Sequence, residues 1–399
     1  MTVNVHNPDQ YMAGLRQIIA QGRKRIGFIV GAGAPASILT GNPPKSLIPT
    51  VSGLTREVID NLSGQEKTAV ESIISELGAT EYNIELILSK TRNLSSIIGS
   101  TKIHGLNGNE HKVLSENICK KIGSIVDKSL PSNSTPYHDL VTWLGGSDRD
   151  HAIEIFTTNY DLLFEEAFEN ARIPYFDGFS GSKQAFFDPS TVASDILPAR
   201  WARLWKLHGS VGWTKNSKGE VIRDGKAHST DLIFPEHLKY EQTQKAPYSA
   251  LFDRLRQFLM TPDTLLIATG FSFGDAHISG RIDECLTANK SSSVFAFQHN
   301  LISEEKNACD IAGRCSNMSV YCSDGAMING VRAQWMPGDL PTRDWGPIRS
   351  TYWDAILDGG PPVFILGKYD RLAKFFSASR TEQIFPETTI LNTNDIARS

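Results

Sequence analysis

The sequence lacks the features that mark membrane-spanning, disulfide-stabilised and wholly basic proteins. None of its 399 residues falls in a run of about 18 apolar residues, so no segment is predicted to span a membrane. The five cysteines are odd in number and include no Cys-x-x-Cys pair, which argues against a disulfide framework and a four-cysteine zinc site. The 40 Lys and Arg are balanced by 44 Asp and Glu, which excludes a surface that is basic throughout. A local basic patch, and with it direct nucleic-acid contact, stays open.

The N-terminus lacks the apolar core of a secretory signal, since MTVNVHNPDQYMAG is interrupted by polar and acidic residues. We therefore expect a cytoplasmic protein. The chain does not lack core-forming residues, because 40% of it is hydrophobic. That fraction is typical of folded globular proteins and excludes disorder as the main state.

Short apolar runs alternate with helical stretches along most of the chain. This pattern predicts an α/β fold, with a Rossmann-like, mostly parallel sheet that carries helices on both faces. Ligands of such sheets bind beyond the carboxyl ends of the strands, near the point where the strand order reverses. The residues that follow each run are therefore the candidate site residues. The runs span residues 26–30, 152–156, 203–207, 264–270, 293–298 and 317–322.

A helical insertion interrupts the predicted sheet domain. Residues 55–128 contain no proline, and segments such as NIELILSKTRNLSSII have apolar residues at helical spacing. We predict three to five helices that form a lid or second lobe, with no obvious catalytic residue. The predicted division is a first part of the sheet domain at 1–54, the insertion at 55–135, the remainder of the sheet domain at 136–340, and a C-terminal extension with possible subunit contacts at 341–399.

Three boundaries complete the predicted outline of the chain. A helix is expected over residues 11–24, closed by the basic residues Arg23, Lys24 and Arg25. The Pro- and Gly-rich residues 35–53 are expected to form a loop, and the tail from Ser377 to be weakly ordered.

The first apolar run ends in a glycine-rich segment, Gly31-Ala32-Gly33-Ala34-Pro35-Ala36, which fits the pattern G-x-G-x-x-A. Glycines in this position let the backbone approach a phosphate closely, with amide N–H groups facing the negative charge. A tight turn without a ligand is the alternative. No strand with a terminal acidic residue follows at the spacing of a dehydrogenase, which argues against hydride transfer.

Polar residues follow the next two strands. Thr158, Asn159 and Asp161 come after the second, and an amide such as Asn159 can orient a water or a hydroxyl group. A turn role for Asn159 and a helix N-cap role for Asp161 remain open. His208 follows the third strand, where an imidazole could act as a general base near neutral pH. No second ligand stands at metal-binding spacing from His208, so no metal is expected.

Two further segments supply small or polar residues at strand ends. Gly270 and Ser272 follow the fourth strand, and Ser323 and Asp324 follow the last. Glycine-rich loops and surface turns are the alternatives for these segments. Residues from all these strand ends would nevertheless gather around one cleft if the strands share a parallel sheet.

The ordered set GFIVGAGAPAS, TTNYD, KLHGS and GFSFGD resembles the motifs of the sirtuin superfamily, and especially its bacterial sirtuin-like NAD-degrading proteins of antiphage defence. The resemblance implies a Rossmann-type domain with NAD as its substrate. It implies catalytic roles for Asn159 and His208. The residues implied to bind NAD are Gly31, Ala32, Gly33, Ser37, Thr158, Asp161, Gly270, Ser272 and, as weaker candidates near the adenine, Ser323 and Asp324.

Two departures from the deacylase branch refine this implication. The chain lacks the Cys-x-x-Cys pairs of the sirtuin zinc ribbon, and it has SLIPTVSGLTREV where deacylases have an Ile-Pro-Asp-Phe-Arg stretch. The expected activity is therefore NAD hydrolysis to nicotinamide and ADP-ribose, without zinc. The resemblance also implies a homo-oligomer that assembles with a HerA-like ATPase. A deacylase or ADP-ribosyl transferase, and a scaffold that binds NAD or ADP-ribose without turnover, are the alternatives.

Overall fold

The computed structural model describes residues 4–78, 82–146, 149–223, 246–340, 345–354 and 362–384. The helices are α1 Pro8–Ala20, α2 Gly33–Ala36, α3 Val51–Asp60, α4 Gly64–Leu77, α5 Ile84–Ile97, α6 Gly108–Val126, α7 Pro136–Gly145, α8 Leu163–Asn170, α9 Pro189–Ala193, α10 Tyr248–Met260, α11 Ala276–Ala288, α12 Lys306–Arg314, α13 Trp345–Tyr352 and α14 Tyr369–Ile384. The strands are β1 Val5–His6, β2 Arg25–Val30, β3 Leu39–Thr40, β4 Lys45–Ser46, β5 Glu154–Thr157, β6 Tyr175–Phe176, β7 Phe179–Ser180, β8 Ala185–Phe187, β9 Ala202–Lys206, β10 Trp213–Lys215, β11 Val221–Arg223, β12 Thr264–Thr269, β13 Ser293–Phe297, β14 Met318–Tyr321, β15 Gly325–Ile328, β16 Val331–Trp335, β17 Trp353–Asp354 and β18 Val363–Phe364.

A ten-stranded sheet organises the molecule, in the order β1-β16-β15-β14-β13-β12-β2-β5-β9-β6. Neighbouring strands from β14 to β6 run parallel, and β15 pairs antiparallel with both β14 and β16. The predicted α/β fold, with a mostly parallel sheet flanked by helices, is confirmed. Each of the six apolar runs in the sequence forms one of the strands β2, β5, β9, β12, β13 and β14.

Both faces of the sheet are buried. Consecutive side chains of a strand point to opposite faces, so their burial reports on each face in turn. In β2, Phe28 joins the apolar cluster on one face and Ile29 joins the cluster on the other. In β12, Leu265 and Leu266 divide in the same way. This two-sided burial explains why the strands appear in the sequence as continuous apolar runs.

The first helix differs from the predicted range of 11–24. Helix α1 begins at Pro8, after Asn7, whose side chain accepts a hydrogen bond from the Asp9 backbone N–H. It ends at Ala20, because Gly22 adopts a φ of 68°, a left-handed conformation that terminates an α-helix. The basic residues predicted to close the helix lie beyond its end, and Arg25 begins β2.

The segment predicted as a loop between residues 35 and 53 is partly regular. Helix α2 occupies its start, strands β3 and β4 pair antiparallel within it, and helix α3 begins at Val51. Four helices, α3 to α6, make up the predicted helical insertion. Their buried residues belong to the same apolar cluster as Phe28 of β2, so the helices pack into the core of the sheet. The division into domains stays a prediction.

The C-terminal extension is also part of the core where it is described. Phe376 of α14 is fully buried, with its ring 5.4 Å from that of Phe28 and 4.6 Å from that of Trp143. Helix α14 continues beyond Ser377, where the sequence predicts weak order, and residues 385–399 lie outside the described ranges. None of the described helices is both long enough and apolar enough to cross a membrane.

Candidate active site

A cavity of about 980 Å³ opens at the carboxyl ends of the central strands. Strand β2 lies between β12 and β5. The chain forms β5 and β9 on one side of β2 before it forms β12, β13 and β14 on the other side, so the strand order reverses beside β2. Parallel α/β sheets bind their ligands at such a point. The structure brings most of the predicted site residues to this cavity. Those that line it are Gly31, Ala32, Gly33, Ser37, Thr158, Asn159, Asp161, His208, Gly270 and Ser272.

The glycine-rich segment packs directly on the loop that follows β12. The backbone N–H of Gly31 donates to Thr269 O, and that of Gly33 donates to Gly270 O. A Cβ on Gly31 would lie 2.4 Å from the carbonyl oxygen of Gly270. These two glycines therefore permit two loops to touch, and their amide protons are already engaged within the protein.

Asn159 is buried and its amide is fixed by the same glycine segment. The Nδ2 group donates to Gly31 O at 3.1 Å, and the backbone N–H of Asn159 donates to Thr157 Oγ1. Since the Nδ2 group can only donate, Oδ1 is the side-chain atom that can accept a hydrogen bond from a water or a hydroxyl group. The first and second predicted motifs are thus joined through a single side chain.

His208 follows β9 and is paired with a carboxylate that sequence reasoning did not select. Its Nε2 lies 2.9 Å from Asp275 Oδ2, a distance typical of an ion pair, although the angle is not that of a hydrogen bond. Asp275 is the N-cap of α11 and accepts from the backbone N–H groups of His277 and Ile278. Burial alone would raise the pKa of Asp275, but these donors and His208 together lower the pKa to about 2.

A second carboxylate approaches His208 from the helical insertion. Glu85, in the first turn of α5, places Oε1 3.9 Å from His208 Nδ1 and accepts a hydrogen bond from the Tyr160 hydroxyl at 3.4 Å. Burial alone would lower the pKa of His208, but Asp275 and Glu85 outweigh it, so the pKa is raised from 6.5. No catalytic residue was obvious in the insertion from the sequence, so Glu85 was not among the predicted site residues. Its sequence signal, a Glu after the Asn83 cap, is the same as that of any helix N-terminus.

Asp161 is buried and lines the cavity, and its side chain accepts a hydrogen bond from the first backbone N–H of helix α8. Its Oδ1 accepts from the Leu163 backbone N–H, while Lys206 Nζ donates to its backbone carbonyl and lies 3.1 Å from Glu165 Oε1. Helix α8 has Leu162 as its N-cap residue. Burial raises the pKa of Asp161 to about 6, although the positive charge of Lys206 opposes this shift.

The two weaker candidates, Ser323 and Asp324, do not line the cavity. Ser323 Oγ donates to Asn300 O, and Asp324 Oδ1 accepts from the Ile302 backbone N–H, so both hold a loop together. At this end the cavity is instead lined by the residues after β13 and by the start of α14, which the sequence did not single out. These residues are Gln298, His299, Asn300, Glu305, Gly367, Lys368, Tyr369 and Asp370.

Among the described residues, no group of three or more His, Cys, Asp or Glu side chains is arranged to hold a metal ion. All five cysteines are buried free thiols. Burial raises the pKa of Cys309 to about 11, which keeps that thiol protonated at neutral pH. The side chains that line the cavity include the Asn159 amide, the His208 imidazole and the carboxylates of Glu85, Asp161 and Asp275.

Comparison with known proteins relates the chain to Sir2 proteins. No curated protein matches it. One similar solved structure is a Sir2 enzyme, with 14% identity, coverage of 73% of this chain and 85% of the other, and a TM-score of 0.35. Another is a Sir2 homologue in complex with NAD, with 16% identity, coverage of 75% and 85%, and a TM-score of 0.32. Residues 153–311, which carry Asn159, His208 and Asp275, match the family described as a SIR2-like domain.

Proposed function

We propose that the protein is an NAD hydrolase that converts NAD to ADP-ribose and nicotinamide. One observation carries this proposal: Asn159 and His208, far apart in sequence, line the same cavity beneath the glycine segment at the switch point of the sheet. The match of residues 153–311 to the SIR2-like domain supports a nicotinamide dinucleotide as the ligand. The volume of about 980 Å³ is at the upper end of the range for small-molecule sites, as a dinucleotide needs.

In the proposed reaction, the bond between ribosyl C1′ and the nicotinamide nitrogen breaks and a bond from C1′ to a water oxygen forms. Nicotinamide leaves as a neutral molecule, and positive charge develops on the ribose in the transition state. Asn159 Oδ1 accepts a hydrogen bond from the attacking water and orients it. His208 accepts the proton that the water loses. Asp275 stabilises the resulting imidazolium.

Incubation of the purified protein with NAD, followed by chromatography of the products, tests the proposal. We expect nicotinamide and ADP-ribose in equal amounts, and a loss of about 100-fold or more in Asn159→Ala and in His208→Ala. His151→Ala is the matched control, because His151 does not line the cavity. Full turnover by either site variant would refute the assignment. Peptide-dependent nicotinamide release would indicate a deacylase, and tight binding without release would indicate a scaffold.

The biological setting extends this proposal. We propose that NAD depletion serves antiphage defence by abortive infection, in a cytoplasmic homo-oligomer whose activity is controlled by assembly with a HerA-like ATPase. The support for this setting is the resemblance of the four sequence motifs to the sirtuin-like defence proteins. An NAD hydrolase needs such control, because unregulated turnover would deplete the NAD of the cell.

A further inference from the structure

His208 lies between two carboxylates that come from different parts of the fold. Asp275, at the start of α11, is 2.9 Å from Nε2, and Glu85, at the start of α5, is 3.9 Å from Nδ1. Both ring nitrogens are buried. The sheet domain therefore supplies one neighbour of the imidazole, and the helical insertion supplies the other.

The two carboxylates differ in the hydrogen bonds that hold them in place. Asp275 accepts two backbone N–H groups at 2.8 and 3.0 Å, which fix it as the cap of α11. Within the described part of the chain, Glu85 accepts one long hydrogen bond, 3.4 Å, from the Tyr160 hydroxyl, and 30% of its side chain remains exposed. Of the two, Glu85 is the neighbour that can adjust when the cavity is filled.

The protonation of the ring follows from these positions. Asp275 stays ionised at neutral pH, so it favours a proton on Nε2 of the neutral imidazole. Nδ1 is then the nitrogen that gains and loses the second proton. The Glu85 carboxylate lies beside this nitrogen. Another titratable group near the ring is Tyr160, whose ring centroid lies 6.4 Å from that of His208. The titratable or charged groups that act on Tyr160, besides Glu85, are Tyr248, Cys119 and Arg92.

We propose that Glu85 is a positioning residue for His208: its carboxylate holds the Nδ1 side of the ring and promotes proton uptake there. The catalytic part of this inference rests on the proposed function, whereas the coupling between Glu85 and His208 does not. The helical insertion thereby completes the active site, in addition to any role as a cover.

Titration of His208 in the full-length protein without NAD tests the coupling directly. Histidine side chains labelled with ¹³C are followed by NMR against pH, and the His208 signal is assigned by its absence in His208→Gln. We expect Glu85→Gln to move the His208 midpoint to lower pH, since it removes the negative charge but keeps an acceptor for Tyr160. Glu85→Asp, which keeps the charge, should restore most of the shift.

Two further variants calibrate this titration. Glu116→Gln removes a charge from an exposed position of α6 outside the cavity and should leave the midpoint unchanged. Asp275→Asn should lower the midpoint, because it removes the ion pair while an Asn can still cap α11. An unchanged midpoint in Glu85→Gln, together with a lowered one in Asp275→Asn, would overturn the inference.

The pH dependence of NAD cleavage provides the second readout. The acidic limb of the pH profile of kcat/KM should move to lower pH in Glu85→Gln, because His208 loses its proton at a lower pH in this variant. At alkaline pH the rate should fall by less than about 10-fold, against about 100-fold or more for His208→Ala. A parallel loss at all pH values with an unmoved limb would contradict the positioning role. Absence of NAD cleavage in the wild type, both alone and with the proposed ATPase partner, would refute the proposed function, while the NMR titration would still decide the coupling.

Discussion

At the scale of single residues, the cavity is defined by side chains whose partners lie on distant segments. Asn159 is fixed by a hydrogen bond to Gly31, and His208 is flanked by Asp275 and Glu85. Residue type and strand-end position made Asn159 and His208 candidates, and the resemblance of the sequence motifs implied their catalytic roles. Asp275 and Glu85 could not be selected in this way, because a carboxylate at a helix start has an ordinary capping role in most proteins.

Asp161 should make stability depend on pH in a defined direction. Burial raises its pKa to about 6, above its value of 3.8 in the unfolded chain, so the folded state binds the proton more tightly. The wild type should therefore lose stability as pH rises from about 4 to 6, by about 3 kcal/mol at most. Asp161→Asn should not show this loss.

Urea unfolding of both proteins at pH 4 and pH 7.5 measures the effect. Groups other than Asp161 titrate in both proteins, so the difference between their free energies of unfolding isolates the Asp161 carboxyl. The variant should gain on the wild type as pH rises. A gain by the wild type would mean that Lys206 stabilises the ionised carboxylate more than burial penalises it.

At the scale of elements, the loop after β2 and the loop after β12 depend on each other. Gly31→Ala should destabilise the protein by about 1–3 kcal/mol and abolish NAD cleavage, because its Cβ would lie 2.4 Å from Gly270 O. Gly14→Ala is the matched control: Gly14 lies within α1, with nothing within 4 Å of an added Cβ. That change should stabilise the protein by about 0.5–1 kcal/mol. Thermal unfolding and nicotinamide release check both, and unaffected cleavage in Gly31→Ala would contradict the packing argument.

Helix α14 should behave as a core element. Phe376→Ala should cost about 3–5 kcal/mol of unfolding free energy, since the buried ring packs against Phe28 and Trp143. Lys374→Ala, on the exposed side of the same helix, should change it by less than about 0.5 kcal/mol. Chemical denaturation compares the two variants. Equal, small effects would show that α14 is dispensable for the fold.

The sequence predicted the central strands more accurately than it predicted helices α3 and α14, for a physical reason. Buried parallel strands such as β2 and β12 are continuous apolar runs, and their positions were predicted to within about two residues. Helix α3 begins at Val51, inside the stretch predicted as a loop, and the helix over Tyr369–Ile384 was not predicted. Thr50 is the N-cap residue of α3, but its side chain makes no capping hydrogen bond, so the start of this helix depends on tertiary packing.

At the scale of the whole molecule, the helical insertion and the sheet share one apolar core and one cavity. Glu85 from the insertion and His208 from the sheet line the same space. A change that moves the insertion would therefore change the environment of His208. This arrangement gives the proposed control by assembly a physical route to the active site.

Assembly with the proposed HerA-like ATPase should raise NAD cleavage per chain by about tenfold, a typical coupling between two sites. Size-exclusion chromatography with light scattering separates the free chain from the assembly, and nicotinamide release is measured in each fraction. His208→Ala in the assembly is the control, and it should be inactive. Equal activity per chain in the separated species would argue against control by assembly.

The sequence by itself determined the α/β fold and the positions of the central strands, because burial on both faces leaves a local, readable pattern of apolar runs. It also made the glycine segment, Asn159 and His208 candidates for the site, since each lies within three residues after such a run. Only the tertiary structure decided that Asp275 and Glu85 flank His208, that the Gly31 and Gly33 amides serve loop packing, and that Ser323 and Asp324 lie apart from the cavity. These outcomes depend on contacts between segments far apart along the chain, which no local pattern encodes.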